Sequence, residues 1–268
     1  MSPEASGTAV EGLLEGDLEI EGRILPASNA TFLGAVVTGA TRVRCVYKPV
    51  AGERPLWDFP DGTLARREAA AYVVSEALGW AVVPPTVLRE GPAGPGMVQA
   101  WREPDPAQTP VDVVPRGSVP AGYRHVLDAL DGDGEEVALV HEDTVALRRM
   151  AVFDVVVNNA DRKGGHVLAM PDGHRHGVDH GVCFHVDDKL RTVLWGWATE
   201  PLPDADRPAL ERVRKEVGSG SATVGSALTD LLADEEIAAL VSRVTALLDA
   251  GTMPLPSGTW PAIPWPAF

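Results

Sequence analysis

The sequence predicts an α+β chain built as two lobes, a small β-rich N-terminal one and a mostly helical C-terminal one. Three observations carry this reading. The runs LEIEGRI (18–24), ATFLGAVVT (30–38) and TRVRCVYKPV (41–50) are short, rich in β-branched residues, and broken by small-residue turns such as TGAT (38–41). Helical apolar spacing then appears in LARREAAAYVVSEALG (64–79), between those strands and two more, WAVVPPTVLRE (80–90) and GPGMVQAW (94–101). From Thr144 onward helices dominate, one through LRRMAVFDVVVNN and others at 207–217, 222–232 and 235–249. The division falls after residue 101, with 1–101 and 102–268 together making one domain.

The totals narrow the possible functions. A chain of 268 residues with 45% apolar content can bury a sizeable core. A formal charge of -15 and a pI near 4.8 argue against nucleic-acid binding, which needs a basic footprint, and against attachment to anionic membranes. No apolar run reaches membrane-spanning length, so stable membrane insertion is not expected, and MSPEASGTAVEG lacks the features of a signal peptide. The expected location is cytoplasmic. Cys45 and Cys183 suit a reducing compartment and offer no disulfide framework. With lysine present only at 48, 163, 189 and 215, Lys48 inside an apolar strand stands out.

The chemistry is concentrated between Ala151 and His185. Asp161 closes an apolar helical run, and Asp179 follows a hairpin-like return, with Arg162, Lys163, two glycines and His166 between them. Phosphoryl transfer needs such a pair: one carboxylate orients and deprotonates an acceptor hydroxyl, and the other holds magnesium against nucleotide phosphates. Upstream, the loop LPASNAT brings Ser28, Asn29 and Ala30, whose backbone N–H groups can cradle phosphate, although an ordinary Pro-Ser-Asn turn has the same composition. Lys48 reads either as an edge lysine or as a phosphate-reaching one. Glu68, on a helix with Thr63 as its cap, reads as a surface acid or as the partner of Lys48. Met97, Val98 and Gln99 form the expected hinge, meeting an adenine edge through backbone groups. Residues 102–120 read as a proline-rich loop, and DGDGEE (131–136) as a solvated turn without EF-hand spacing. HVLAM and HGVDHGVCF read as strands around the PDGH turn, Asp234 as the cap of the last helix, and PSGTWPAIPWPAF as a strap packed on the domain.

The order of these features resembles the phosphatidylinositol 3- and 4-kinase-like branch of the protein-kinase-like superfamily, and within it an uncharacterised actinobacterial family. GRILPASNATFL, VYKPVAGERPLWDFPDGTLARREAAAYVVSEALG, VPPTVLREGPAGPGMVQ, FDVVVNNADRKGGHVL, GVDHGVCFH and KLRTVLWGW carry the resemblance, across most of residues 10 to 200. The loop NADR (159–162) is also similar to HipA-type kinases. The resemblance implies a two-lobed kinase-like fold using ATP with Mg2+ or Mn2+. It implies that Lys48 binds phosphate, Glu68 holds Lys48, Asp161 is the base, Arg162 braces the catalytic loop and Asp179 is the principal metal ligand. Where relatives carry a metal-binding Asn five residues after the base, this chain has His166. A neutral imidazole suits manganese or zinc better than magnesium.

Two rival readings stand beside this one. Five histidines (166, 174, 176, 180 and 185) with Asp179 and Cys183 suggest a zinc-dependent hydrolase, although neither HExxH nor paired CxxC spacing is present. A nucleotide-binding pseudokinase without turnover would also account for the His166 substitution. Arg162, Lys163, Lys189 and Arg191 offer a local basic rim for an anionic acceptor, with Lys189 otherwise a solvated surface residue. The acceptor itself can be a protein, a lipid or a small molecule.

Overall fold

The computed structural model describes residues 10–25, 29–219 and 223–268. Its first part is an antiparallel sheet. β1 (Asp17–Arg23), β2 (Phe32–Thr38) and β3 (Thr41–Pro49) run as a meander, followed by α1 (Leu64–Leu78), β4 (Thr86–Gly91) and β5 (Gly94–Ala100). The spatial order is β1-β2-β3-β5-β4, which places β5 in contact with both β3 and β4. One face of the sheet carries its own small core of Leu18, Val36, Cys45, Tyr47, Val87 and Val98. Alternation along β3 therefore sends Tyr47 into that core and Lys48 to the opposite face.

The start of α1 differs from expectation. The Thr63 side chain makes no cap bond and donates instead to the Pro60 carbonyl. The Glu53 carboxylate takes its place, accepting from the Leu64 and Ala65 N–H groups at 3.1 and 2.8 Å. A carboxylate there satisfies orphan donors and complements the positive end of the helix dipole. Gly79, at φ 71°, closes the helix in the left-handed conformation that glycine adopts without steric cost.

The proline-rich stretch is more ordered than composition implied. It contains β6 (Val111–Pro115), which pairs with β8 (Glu136–Glu142), and β8 in turn pairs with β7 (Tyr123–Leu130). β6 is a five-residue edge strand bracketed by Pro110 and Pro115, a position where missing N–H donors are tolerated. The 131–136 stretch turns between β7 and β8, with Asp131 accepting from the N–H groups of Asp133 and Glu135.

α2 (Val145–Val157) runs through the main core, with Leu147, Met150, Val152, Phe153, Val156 and Val157 all buried. The Thr144 hydroxyl caps it by accepting from Leu147 N–H. It ends at Asn158, held at φ 53°. A short hairpin, β9 (Val167–Ala169) and β10 (Arg175–Gly177), returns the chain; β10 stops before Asp179, so the second predicted strand is shorter than expected. α3 (Arg207–Gly218), α4 (Thr223–Thr229) and α5 (Asp234–Ala250) close the core. Asp234 lies inside the first turn of α5, and the Glu236 carboxylate accepts the Ala233 N–H at 3.0 Å. The C-terminal segment packs as a strap: Thr192 N–H and Trp195 Nε1 donate to Ala262 O, and Gly164 N–H donates to Ala267 O.

Candidate active site

Lys48 lies directly across the β3–β5 ladder from Met97. Its ammonium donates to Glu68 Oε1 at 2.7 Å and to Asp179 Oδ1 at 2.9 Å. The other oxygen of Glu68 accepts the backbone N–H of His180 at 2.9 Å, so α1 is tied to the Asp179 segment through one carboxylate. Burial disfavours the Lys48 cation, but Asp179 and Glu68 outweigh it and hold its pKa above the ordinary value. Lys48 in turn holds the Asp179 carboxyl well below the usual carboxylate range. Asp179 sits at φ 63°, and its second oxygen faces His166 Nε2 at 3.5 Å. Burial pushes His166 down to about 4, so its imidazole is neutral at neutral pH.

Asp161 lies at the end of the segment that leaves α2, with its backbone N–H held by Asn159 Oδ1 at 3.0 Å. Burial raises its carboxyl pKa against the opposing charge of Lys163, whose Nζ is 3.5 Å away. Arg162 contacts no cleft. It is fully buried, with Nε 3.1 and 3.0 Å from the two Asp154 oxygens and Nη2 2.9 Å from Oδ1. The same guanidinium donates to Val178 O and to His180 Nε2 at 2.7 Å. A guanidinium has no lone pair to offer, so His180 Nε2 is the acceptor and the neutral ring carries its proton on Nδ1. Arg162 is thus a positioning residue, joining α2 to the segments on either side of the cleft.

Asp154 is the residue that sequence reading passed over. Besides Arg162 it accepts from Asn159 Nδ2 at 3.0 Å and Thr192 Oγ1 at 3.2 Å. A lone acid inside AVFDVVV was the available signal, because a charge on a core helix demands a buried partner.

A cleft of about 570 Å³ opens beside these groups. Asp161, Asp179, Lys163, Arg191 and Asn29 line it, with Trp57, Trp260 and Trp265. A narrower recess containing Lys48 and Glu68 shares Asn29, Leu64, Asp179 and Gly181 with it. Asn29 Oδ1 accepts Arg54 N–H, and Ala30 N–H donates to Gly52 O, which pins this end of the loop to the segment carrying Glu53. Ser28 lies outside the described residues.

Three expectations are corrected. Met97, Val98 and Gln99 are paired residues of a central strand, so their backbone groups belong to the ladders with β3 and β4 and cannot meet an adenine edge. Val98 faces the far core, Met97 faces the Lys48 side, and Gln99 Nε2 donates to Thr86 Oγ1. Lys189 is buried: its Nζ bonds Asp58 at 2.6 Å and lies 4.8 and 4.6 Å from the Trp57 and Trp260 ring centroids. Of the predicted basic rim, Lys163, Lys189 and Arg191 line the cleft, the Lys189 charge being engaged by Asp58, whereas the buried Arg162 does not reach it. Nor do the histidines assemble: His174 Nε2 and His176 Nδ1 face the carbonyls of Ala81 and Val82, and among the described residues no group of three His, Cys, Asp or Glu is arranged to hold a metal.

No family model matches the chain. Over 265 residues it is 52% identical to Protein Rv2133c of Mycobacterium tuberculosis (strain ATCC 25618 / H37Rv), covering 96% of this chain and 94% of that protein. The chain belongs to the Rv2133c family. The crystal structure of the Golgi casein kinase with Mn/ADP bound is similar to this Rv2133c-family chain with a TM-score of 0.59 at 13% identity, covering 93% of this chain and 76% of that one. A second crystal structure of the Golgi casein kinase matches with a TM-score of 0.57 at 13% identity, over the same shares of each chain. At that identity the likeness speaks for the fold, which is the two-lobed kinase-like one. Among the described residues no helix is long and apolar enough to cross a membrane.

Proposed function

We propose that this Rv2133c-family chain is an ATP- and divalent-metal-dependent phosphotransferase, moving the γ-phosphoryl group of ATP to a hydroxyl. The observation that carries this reading is the Lys48–Glu68–Asp179 network, set at one cleft with Asp161. A kinase-like fold supports it, as do the manganese and ADP named for the Golgi casein kinase structure. The lobes divide after residue 101, just past the end of β5 at Ala100.

The residues fit a divalent ion held in part by phosphate oxygens. Asp179 is ionised, and His166, neutral and 3.5 Å from it, is the second donor. One or two protein ligands completed by nucleotide oxygens are the usual arrangement for such ions. A bound Mg2+ or Mn2+ supplies neutralisation of phosphate charge. Lys48, held in place by Glu68, supplies a second positive charge to the phosphates, with the Asn29 backbone N–H over them; the Ala30 N–H is taken by Gly52 O. Asp161 accepts the proton of the acceptor hydroxyl as the phosphoryl group moves in line, and the burial that raises its pKa strengthens it as a base. Arg162 and Asp154 keep that loop in register. Lys163 and Arg191 at the cleft favour an acceptor that carries negative charge, whether protein, small molecule or lipid headgroup. The resemblance to phosphatidylinositol 3- and 4-kinase-like enzymes supports the chemistry and does not assign that acceptor.

The test is incubation with γ-labelled ATP and either Mg2+ or Mn2+, beside Asp161→Asn. Label on protein, on an added acceptor or released as phosphate, and lost in Asp161→Asn, is the expected result. Binding of ATP without turnover in the wild-type chain would replace this reading by the pseudokinase one, which His166 in the second metal position favours.

A further inference from the structure

The cleft beside Asp161 carries two guanidiniums and two indoles that none of the phosphate, metal or proton-transfer roles above uses. Arg191 is fixed at its root. Its Nε donates to Ala160 O at 2.7 Å and its backbone N–H to Asn159 O at 2.9 Å. Its two terminal amino groups have no hydrogen-bond or ion-pair partner among the described residues, and neither is sealed from solvent. Arg54, whose backbone N–H donates to Asn29 Oδ1, likewise has no ion-pair partner among the described residues. A chain of net charge -15 has carboxylates to spare, so two guanidiniums left without one at a single cleft mark a place for a ligand anion. The planar edge of a guanidinium matches phosphate oxygens two at a time. Lys163, 3.5 Å from Asp161, adds a further cation, which favours a dianion over a monoanion.

The indoles lie on the same side. Trp57, before α1, and Trp265, in the C-terminal strap, both line the cleft and are 84% and 88% exposed. Trp57 stacks against Trp260 with ring centroids 6.2 Å apart, which fixes its plane while most of its surface stays open. None of these three indoles lines the recess of Lys48 and Glu68; they share the cleft with Asp161. The aromatic surface is therefore on the acceptor side. An indole face is flat and apolar, and it covers the C–H face of a sugar ring while the ring hydroxyls turn to polar groups. A volume of about 570 Å³ suits a small molecule rather than an extended chain.

We propose that the cleft binds a phosphorylated sugar as acceptor, its phosphate on the free edge of Arg191, its ring against Trp265 and Trp57, and a hydroxyl at Asp161. The transfer rests on the phosphotransferase reading; the binding does not. In that transfer the hydroxyl oxygen bonds the γ-phosphorus as the bond to the bridging oxygen of ADP breaks. ADP leaves, and the hydroxyl proton passes to Asp161.

The experiment is calorimetric titration of the full chain, without nucleotide, with glucose 6-phosphate beside two comparators. Glycerol 3-phosphate keeps the phosphate and hydroxyls without the ring, and glucose keeps the ring without the phosphate. One-to-one binding of glucose 6-phosphate, tighter than either comparator, is expected. Arg191→Met should weaken it about 10- to 100-fold, the loss of a charged hydrogen bond, and remove its advantage over glucose. Trp265→Ala, at an exposed side chain, should weaken it about 3- to 10-fold and remove most of its advantage over glycerol 3-phosphate. Equal binding of glycerol 3-phosphate, unchanged binding in either variant, tighter Arg191-dependent binding of a phosphoserine peptide, or no binding by the wild type would each overturn the proposal. Release of labelled phosphate from γ-labelled ATP separates the two readings. Turnover without sugar-phosphate binding overturns the acceptor alone, whereas binding in a chain that never turns over ATP overturns the phosphotransferase and keeps the sugar-phosphate site.

Discussion

Replacing Arg162 by Met tests how the segment carrying Asp161 is held. The guanidinium is fully buried, paired at both oxygens of an equally buried Asp154, and bonded to Val178 O and His180. Removing one partner of such a pair leaves an unpaired buried carboxylate and costs about 3–5 kcal/mol. For a domain of this size each kcal/mol moves Tm by about 2–4 °C, so a fall of about 6–20 °C is expected. The double variant Asp154→Leu/Arg162→Met removes both charges and recovers part of that loss. Recovery stays incomplete because Asn159, Thr192 and the Val178 carbonyl lose their partner. Urea unfolding of the four proteins gives the coupling energy of the pair. A loss below about 1 kcal/mol in Arg162→Met, or a double variant as unstable as the sum of the singles, would refute a dry, mutually dependent pair. Under conditions where Arg162→Met stays folded, phosphoryl transfer should fall while ATP affinity changes little, since Asp154 reaches Asp161 through Asn159.

Other consequences follow from the same geometry. Lys48→Met should weaken ATP binding and release Asp179, whose lowered pKa contributes stability above the ordinary carboxylate value of about 4 that is lost as pH falls below it. Acid unfolding monitored in both proteins should therefore show a shallower low-pH limb in the variant; identical limbs would remove Lys48 as the cause. His166 and His176 are pushed down to about 4 and about 3 by burial. From pH 6.5 towards 4, roughly the ordinary histidine value downward, the unfolded chain binds protons that the folded one refuses, so stability should drop as pH falls. His176→Gln should reduce that slope by up to about 1.4 kcal/mol per pH unit, and an unchanged slope would count against its being a neutral buried ring. Glu53→Ala should cost about 1 kcal/mol through the lost cap of α1 and loosen Glu68 on the same helix, whereas Thr63→Ala should cost less at that helix end.

The N-terminal strands and the long helices were legible because their cues are local. Short β-branched runs between small-residue turns mark β1 to β3, and helical apolar spacing marks α1, α2 and α5. Lys48, Glu68, Asp161 and Asp179 were legible as candidates because a lone lysine in a strand and acids at element ends are conspicuous in one dimension. β6 to β8 were not, since β6 is a proline-bracketed edge and the three strands support one another only once paired. Lys189 was misread for a related reason: nothing near it in sequence announces Trp57, Asp58 and Trp260, which arrive from distant segments.

By itself, then, the sequence determined the two-lobed α+β architecture and the set of ionisable groups proposed for phosphoryl transfer, because propensity and hydrophobic period act over a few residues. Tertiary structure alone decided which of those groups share a cleft, that Arg162 and Lys189 are buried against Asp154 and Asp58, that Met97–Gln99 are consumed by a ladder, and that Glu53 caps α1. Burial and pairing are properties of surfaces brought together from far apart in the chain: there pairing outweighs desolvation and keeps Lys48 and Asp179 charged, while desolvation keeps His166 neutral.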